Sequence, residues 1–146
     1  MDTIADNPKR KGSITELIVI AKLMEYGEVS IPYGNNARYD CILDINNTLI
    51  RIQIKTANVL DENRFTVPFA NKRSNAGGNV RKVYTSEEVD YIATYHQDEL
   101  YLFETGTHTN SMTISFNYPS NGLKNKINLA ENYKASKILE QYQILE

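Results

Sequence analysis

Two alternating segments separated by a pair of asparagines most constrain the fold of this 146-residue chain. Apolar side chains occupy every second position of residues 39–45, and Ile50, Ile52 and Ile54 alternate in the same way within residues 49–57, with mostly polar side chains between them. Alternation with period two is typical of half-buried β-strands. Asn46 and Asn47 lie between the segments, and asparagine tolerates the positive φ of a two-residue turn. The pattern therefore predicts an antiparallel hairpin with one apolar and one polar face.

The polar face of this hairpin brings together a carboxylate, an amide and an amine. With a two-residue turn, Asp40 lies directly opposite Gln53, with about 5 Å between their Cβ atoms. Lys55 follows Gln53 on the same face, about 7 Å further along the strand. A turn of different length breaks the Asp40–Gln53 pair and keeps the Gln53–Lys55 pair. The alternative interpretation is an ordinary solvent-facing side of a sheet.

A helix with an unpaired carboxylate is predicted before the hairpin. Ser13 is a candidate N-cap and Glu16 completes a capping box, so the helix should begin near residues 12–13 and end at Gly27. Glu16 has no cation three or four residues later. Either it only caps its own helix, or a metal ion, a lysine or a polar cluster meets it. Apolar residues cover most of the circumference, which is typical of a largely buried helix: Ile14, Leu17, Ile18, Ala21 and Met24 on one side, and Val19, Ile20 and Leu23 on the other.

The rest of the chain indicates an α/β protein. Its length has room for one domain, residues 1–146, with residues 1–11 as a loose basic arm. A helix, several strands and a closing helix predict a central mixed β-sheet flanked by helices. Further strands are predicted over residues 28–33, 64–69, 89–96, 99–104 and 112–116, a polar loop over 71–79, and the closing helix over 130–143.

Composition excludes several classes of protein. The net charge of −2 excludes histone-like basicity, and a single cysteine, Cys41, excludes a disulfide framework and a cysteine-built zinc site. No apolar run is long enough to span a membrane, and residues 1–15 contain no secretory apolar segment, so a cytoplasmic protein is expected. No glycine-rich phosphate loop is present, so no nucleotide cofactor is expected.

The positive charge is unevenly distributed along the chain. No acidic residue lies between Asn63 and Ser86, a stretch that contains five cations. A nearly neutral protein with segregated charge can present a basic face to an anionic partner, although ordinary solvated loops explain the same pattern. The candidate phosphate-binding residues are Arg64, Lys72, Arg73, Arg81 and Lys82, together with Lys9, Arg10 and Lys11 near the start.

The order of these residues resembles a known family. Glu16, then Asp40, then Gln53-Ile54-Lys55 is similar to the pattern of the PD-(D/E)XK nuclease superfamily. More narrowly, it resembles the branch that contains a group I intron homing endonuclease. The likeness extends over residues 11–17, 32–34, 38–40 and 52–57, and more weakly over 89–91 and 127–133.

This resemblance implies a core of helix, three-stranded meander, helix and strand, and Mg²⁺-dependent hydrolysis of phosphodiesters in double-stranded DNA. It implies that Asp40 is the central metal ligand and that Gln53 and the backbone carbonyl of Ile54 are further ligands. Glu16 would complete the metal shell, and Lys55 would position or help to deprotonate the attacking water. Gln53 stands where most members have an acid, which removes a negative charge and should weaken metal binding.

Size and fold leave the assembly and the biological role open. One small domain with one site cuts one strand, so a homodimer or homotetramer is expected, with the closing helix as a candidate interface or as part of the core. The same core serves restriction-type and Holliday-junction-resolving enzymes. An inactive DNA-binding module is the alternative from a different class.

Overall fold

The structure, a computed structural model, describes residues 7–34, 36–75, 78–106, 110–122 and 126–143; for residues 72–75 and 78–81 it describes the backbone alone. The strands in chain order are β1 (Glu28–Ser30), β2 (Cys41–Ile45), β3 (Thr48–Ile54), β4 (Asn58–Val59), β5 (Arg64–Pro68), β6 (Ala70–Asn75), β7 (Gly78–Val83), β8 (Tyr91–His96), β9 (Glu99–Glu104) and β10 (Ser111–Ser115). The helices are α1 (Pro8–Leu23), a 3₁₀ helix (Ala130–Tyr133), α2 (Ala135–Ile138) and α3 (Glu140–Gln143).

Helix α1 begins four to five residues earlier than the sequence predicts. The side chain of Asn7 accepts hydrogen bonds from the backbone N–H groups of Lys9 (3.0 Å) and Arg10 (3.3 Å). Pro8 occupies the first helical position, where a missing N–H costs nothing. Ser13 therefore lies inside the helix, and the predicted cap there is wrong. The predicted loose arm is likewise wrong for residues 8–11, and residues 1–6 lie outside the described part of the chain.

The predicted hairpin is confirmed with its predicted register. Strands β2 and β3 pair antiparallel with Ile45 opposite Thr48. Asn46 and Asn47 take φ values of 49° and 66°, the left-handed conformations that a two-residue turn of this kind needs. Every second residue of β2 is buried, and the last buried position of β3 is Ile54. The polar face is thereby fixed on the other side of both strands.

The central sheet is mixed, as predicted. Its order is β1-β2-β3-β8-β9, with β3 and β8 parallel and the other neighbours antiparallel. Asp90 ties the parallel pair together: one carboxylate oxygen accepts the backbone N–H of Arg51 (2.8 Å) and the other accepts from its guanidinium (3.0 Å). Gly27 lies against β2 so closely that a Cβ there would meet the carbonyl oxygen of Asp44 at 2.2 Å.

The two faces of the sheet are covered differently. One face packs against α1 and α2, in a cluster that includes the fully buried Val19, Leu23 and Leu139. The other packs against the small sheet β10-β5-β4 through Phe65 and its neighbours. The α/β fold class with a mixed central sheet is confirmed, and strands supply much of the second layer.

The connection from β3 to β8 differs from the one that the resemblance implies. Within its described residues this segment contains strands and no helix, so the implied helix is wrong here. Strands β6 and β7 form a separate hairpin, with Asn71 opposite Lys82. The predicted loop over residues 71–79 is therefore largely strand.

The closing helix is broken and serves the core. The segment predicted as one helix over 130–143 divides into the 3₁₀ helix, α2 and α3. Leu139 is fully buried, and Ile138 and Tyr142 pack against the same cluster as α1. Core packing thus accounts for Leu139 and for part of Ile138 and Tyr142, and the interface stays a prediction. Among the described residues, no helix is long and apolar enough to cross a membrane.

Candidate active site

The predicted catalytic residues converge on one cavity. It lies where the N-terminal half of α1 meets the start of β2 and the end of β3, and its volume is about 380 Å³. Residues from three separate chain segments line it: Lys9, Gly12, Ser13 and Glu16 from α1, Asp40 before β2, and Gln53, Ile54, Lys55 and Thr56 at and beyond the end of β3. The structure thus brings together all five side-chain or backbone groups expected to bind metal or act on water.

Backbone pairing positions Asp40. Its N–H donates to the carbonyl of Ile52 (2.8 Å), which extends the β2–β3 pairing one residue past the strand. One carboxylate oxygen, Oδ2, accepts the N–H of Ile54 (2.8 Å). This bond fixes the carboxyl group across the end of the hairpin. Among the described residues, none donates a hydrogen bond to the second oxygen, Oδ1, which is available to a ligand.

The environment of the cavity raises the pKa of both of its acids. Burial raises the pKa of Asp40, against the opposing effects of its bond from Ile54 and the charge of Lys55. Burial also raises the pKa of Glu16, and the nearby charge of Asp40 raises it further. A cation beside the two carboxylates would stabilise both charges, of which that of Asp40 is the more shielded from water.

Lys55 is held by groups that are not acids. Its Nζ donates to Oδ1 of Asn71 at 2.7 Å and lies 5.1 Å from the centre of the Tyr84 ring. No ion pair joins Lys55 to a carboxylate among the described residues. Burial lowers the pKa of Lys55, while Asp40 opposes this shift and Arg38 adds to it. The ammonium is therefore partly desolvated, and the charge of Asp40 acts on it without forming an ion pair.

A second layer of residues positions Lys55, and sequence reasoning did not assign it this role. Tyr84 also donates its hydroxyl to Oδ1 of Asn71. The guanidinium of Arg38 lies 4.2 Å from the Tyr84 ring and donates to Glu88 and to the carbonyl of Val83. Sequence analysis grouped Asn71 with the polar loop. Its distance of sixteen residues from Lys55 gave no signal of contact.

The candidate DNA-binding residues do not form one described surface. Lys9 lines the cavity, Arg10 and Lys11 lie exposed in the first turns of α1, and Lys82 is exposed near the end of β7. Arg64 instead binds Asp61 through two contacts of 2.8 and 2.9 Å, so its charge is already partnered. The side chains of Lys72, Arg73 and Arg81 lie outside the described residues, although their strands place Lys72 opposite Arg81.

The donor set of the cavity fits a hard divalent cation. Carboxylate, amide and backbone carbonyl oxygens are the ligands that Mg²⁺ prefers, and Mg²⁺ keeps several waters of its own. Among the described residues, no cluster of three or more histidine, cysteine or acidic side chains is found. The cavity has two carboxylates, and the amide of Gln53 occupies the third position. That composition fits a weakly held, water-rich ion better than a tightly bound one.

A mixed sheet with two carboxylates, an amide and a lysine at one end is the arrangement of the nuclease class that the sequence resembles. A family model described as PD-(D/E)XK endonuclease matches residues 6–136. The chain belongs to this family.

A solved structure shows the same fold. A bacterial homing endonuclease, I-Ssp6803I, is 19% identical in sequence, and the alignment covers 91% of this chain and 92% of that one with a TM-score of 0.71. Among curated proteins, none matches the sequence.

Proposed function

We propose that the protein is a Mg²⁺-dependent endonuclease that cuts double-stranded DNA at a specific site, as a homing-type enzyme acting inside the cell. The observation that carries this proposal is the convergence of Glu16, Asp40, Gln53, Ile54 and Lys55 on one cavity. Membership in the endonuclease family and the likeness to a homing endonuclease support the choice of DNA as substrate.

The metal site would be built from the hairpin and α1. Asp40 through its free carboxylate oxygen, Gln53 through its amide oxygen, and the backbone carbonyl of Ile54 would hold Mg²⁺, with Glu16 completing the shell. When bound, the ion lowers the pKa of a water and neutralises charge that develops on the phosphate. Gln53 contributes no charge, so binding should require more Mg²⁺ than a site with a third acid.

Lys55 acts on the water and the phosphate. Its ammonium is a compact cation, and no acid among the described residues forms an ion pair with it. Because burial lowers its pKa, it exchanges a proton more readily than a solvated lysine. In its neutral form the Lys55 amine would accept the proton of the attacking water, and the ammonium so formed would stabilise the negative charge that develops on the phosphate. Asn71 and Tyr84 hold it in place for this role.

The DNA would be bound by the cations around the cavity. Lys9, Arg10 and Lys11 lie on the helix that lines the site, and Lys82 lies on the hairpin that carries Asn71. Contacts to phosphates position the duplex without reading its sequence. Base reading is assigned to the β6–β7 hairpin, which follows the candidate site directly in the chain.

The test is cleavage of a pooled duplex library of random and genomic sequences, with Mg²⁺ and with EDTA. Lys55→Ala should abolish cleavage, while Lys137→Ala, which changes an exposed lysine of α2, should not. Metal-dependent cuts at one recurring sequence support the proposal. Retention of DNA without any cut would favour the inactive binding module, and selective cutting of branched DNA would favour a junction-resolving enzyme.

A further inference from the structure

The side of α1 that points away from the sheet is apolar and exposed. Leu17 is 69%, Met24 61% and Ile14 40% exposed, and Ala21 is exposed between them. At about 100° per residue, these four point roughly 180° away from the buried side of the helix. Sequence analysis expected them to be buried. A contiguous exposed apolar stripe on a helix marks a surface that another molecule covers.

The charges at the two ends of this outer stripe have opposite signs. Arg10 lies on the stripe side of α1 at its N-terminal end, and Glu25, which also pairs with Lys22 at 3.9 Å, follows Met24 at the C-terminal end, with Glu28 beyond it at the start of β1. Two copies of α1 packed antiparallel would place the basic end of each against the acidic end of the other. A parallel arrangement would place like charges together. The stripe is therefore complementary to an antiparallel copy of itself.

We infer that the outer stripe of α1 binds a second copy of this chain, with the two α1 helices antiparallel across a two-fold axis. This inference deepens the proposed function, and its consequence, the cutting of both DNA strands by one dimer, rests on that function. Since Ile14 of one copy would face Met24 of the other, the interface is self-complementary, as a two-fold interface must be.

The position of the cavity supports this occupant. Lys9, Ser13 and Glu16, which line the cavity, lie roughly 90° around α1 from the outer stripe. The two-fold axis of an antiparallel helix pair runs perpendicular to the helices and to the line between them. Both cavities therefore open on the same side of the dimer. A duplex lying along that side would meet two sites, which is what cutting both strands requires.

The contact is small. Between Ile14 and Met24 the stripe is about 15 Å long. A contact of this length would bury less surface than the roughly 800 Å² per partner of a standard interface. We expect association in the micromolar range without DNA.

Sedimentation velocity across the micromolar range tests the surface. Wild type should associate as its concentration rises, and Leu17→Glu should remain monomeric. Leu49→Glu is the matched control, because Leu49 is 62% exposed on β3 and should not alter association. Glu25→Lys should weaken association, and combining it with Arg10→Glu should restore it. A wild type that stays monomeric, or a Leu17→Glu variant that associates normally, overturns the inference.

Disulfide trapping tests the direction of packing. Ile14→Cys and Met24→Cys are purified separately, mixed and oxidised mildly. The native Cys41 does not interfere, because it is fully buried. The mixture should form the 14–24 disulfide in preference to 14–14 or 24–24. Same-position disulfides in excess would indicate parallel packing and overturn the antiparallel arrangement.

Cleavage separates this inference from the proposed function. On a duplex that wild type cuts, Leu17→Glu should nick single strands and lose concerted double-strand cutting, while Leu49→Glu should cut both. A monomeric Leu17→Glu variant that cuts both strands at the wild-type rate overturns the shared-side dimer. If wild type associates through α1 and cuts no DNA, the proposed function fails and the self-association surface stands.

Discussion

Asn71→Ala should reduce cleavage by roughly 10- to 100-fold while DNA binding changes little. Asn71 Oδ1 accepts the hydrogen bond that holds the Lys55 ammonium, at 2.7 Å. A hydrogen bond to a charged group contributes about 1.5–3 kcal/mol. If that bond keeps Nζ in its working position, its loss lowers the fraction of molecules with Nζ in that position by about 10- to 100-fold, since 1.4 kcal/mol corresponds to tenfold.

The assay is single-turnover cleavage of a duplex that wild type cuts, with DNA affinity measured separately in EDTA. The rate constant should fall with affinity within about threefold of wild type. Tyr84→Phe is the matched control, because it removes the other donor to Asn71 and retains the ring beside Lys55. It should slow cleavage much less. A folded Asn71→Ala variant that cleaves at the wild-type rate would refute the positioning of Lys55 by Asn71.

Three further predictions follow from other parts of the fold. Leu139→Ala should lower the free energy of unfolding by about 2–5 kcal/mol in urea titrations, because Leu139 is fully buried in the core; an unchanged midpoint would contradict this. Burial among aromatic rings lowers the pKa of His96, so the unfolded chain binds a proton more readily and His96 should lower the stability as pH falls below about 6.5. His96→Gln should remove this part of the pH dependence of the melting temperature. Curves of melting temperature against pH that run parallel for wild type and variant would contradict it. Lys82→Ala should weaken DNA binding and reduce the slope of log K against log salt by about 0.9, whereas Lys137→Ala should leave both unchanged.

The central hairpin and the convergence of site residues were predictable from the sequence. Period-two alternation fixes which residues of a hairpin share a face, and Asn46-Asn47 fixes the turn, so the register follows. The placement of Asp40 beside Gln53 and Lys55 depends only on that register. Strand alternation and turn type are local properties, so the sequence of the hairpin itself predicts them.

The parts that were predicted wrongly depend on choices that local patterns do not decide. Asn7-Pro8 and Ser13 are both acceptable helix starts, and the earlier one is used. Helix α1 has two apolar sides, and periodicity does not say which one faces the sheet; the side containing Val19 does. The contact of Asn71 with Lys55 depends on where the β6–β7 hairpin packs, which is a tertiary property.

The most direct test of the proposed metal site is the Mg²⁺ dependence of the cleavage rate for wild type, Asp40→Asn and Asp44→Asn. Asp44 is the matched control, because it lies on the polar face of β2, four residues after Asp40, and does not line the cavity. Wild type and Asp44→Asn should be active at the same Mg²⁺ concentrations and inactive in EDTA. Asp40→Asn should be inactive at every concentration, and wild-type activity in that variant, or undiminished cleavage in EDTA, would contradict a metal centre built on Asp40.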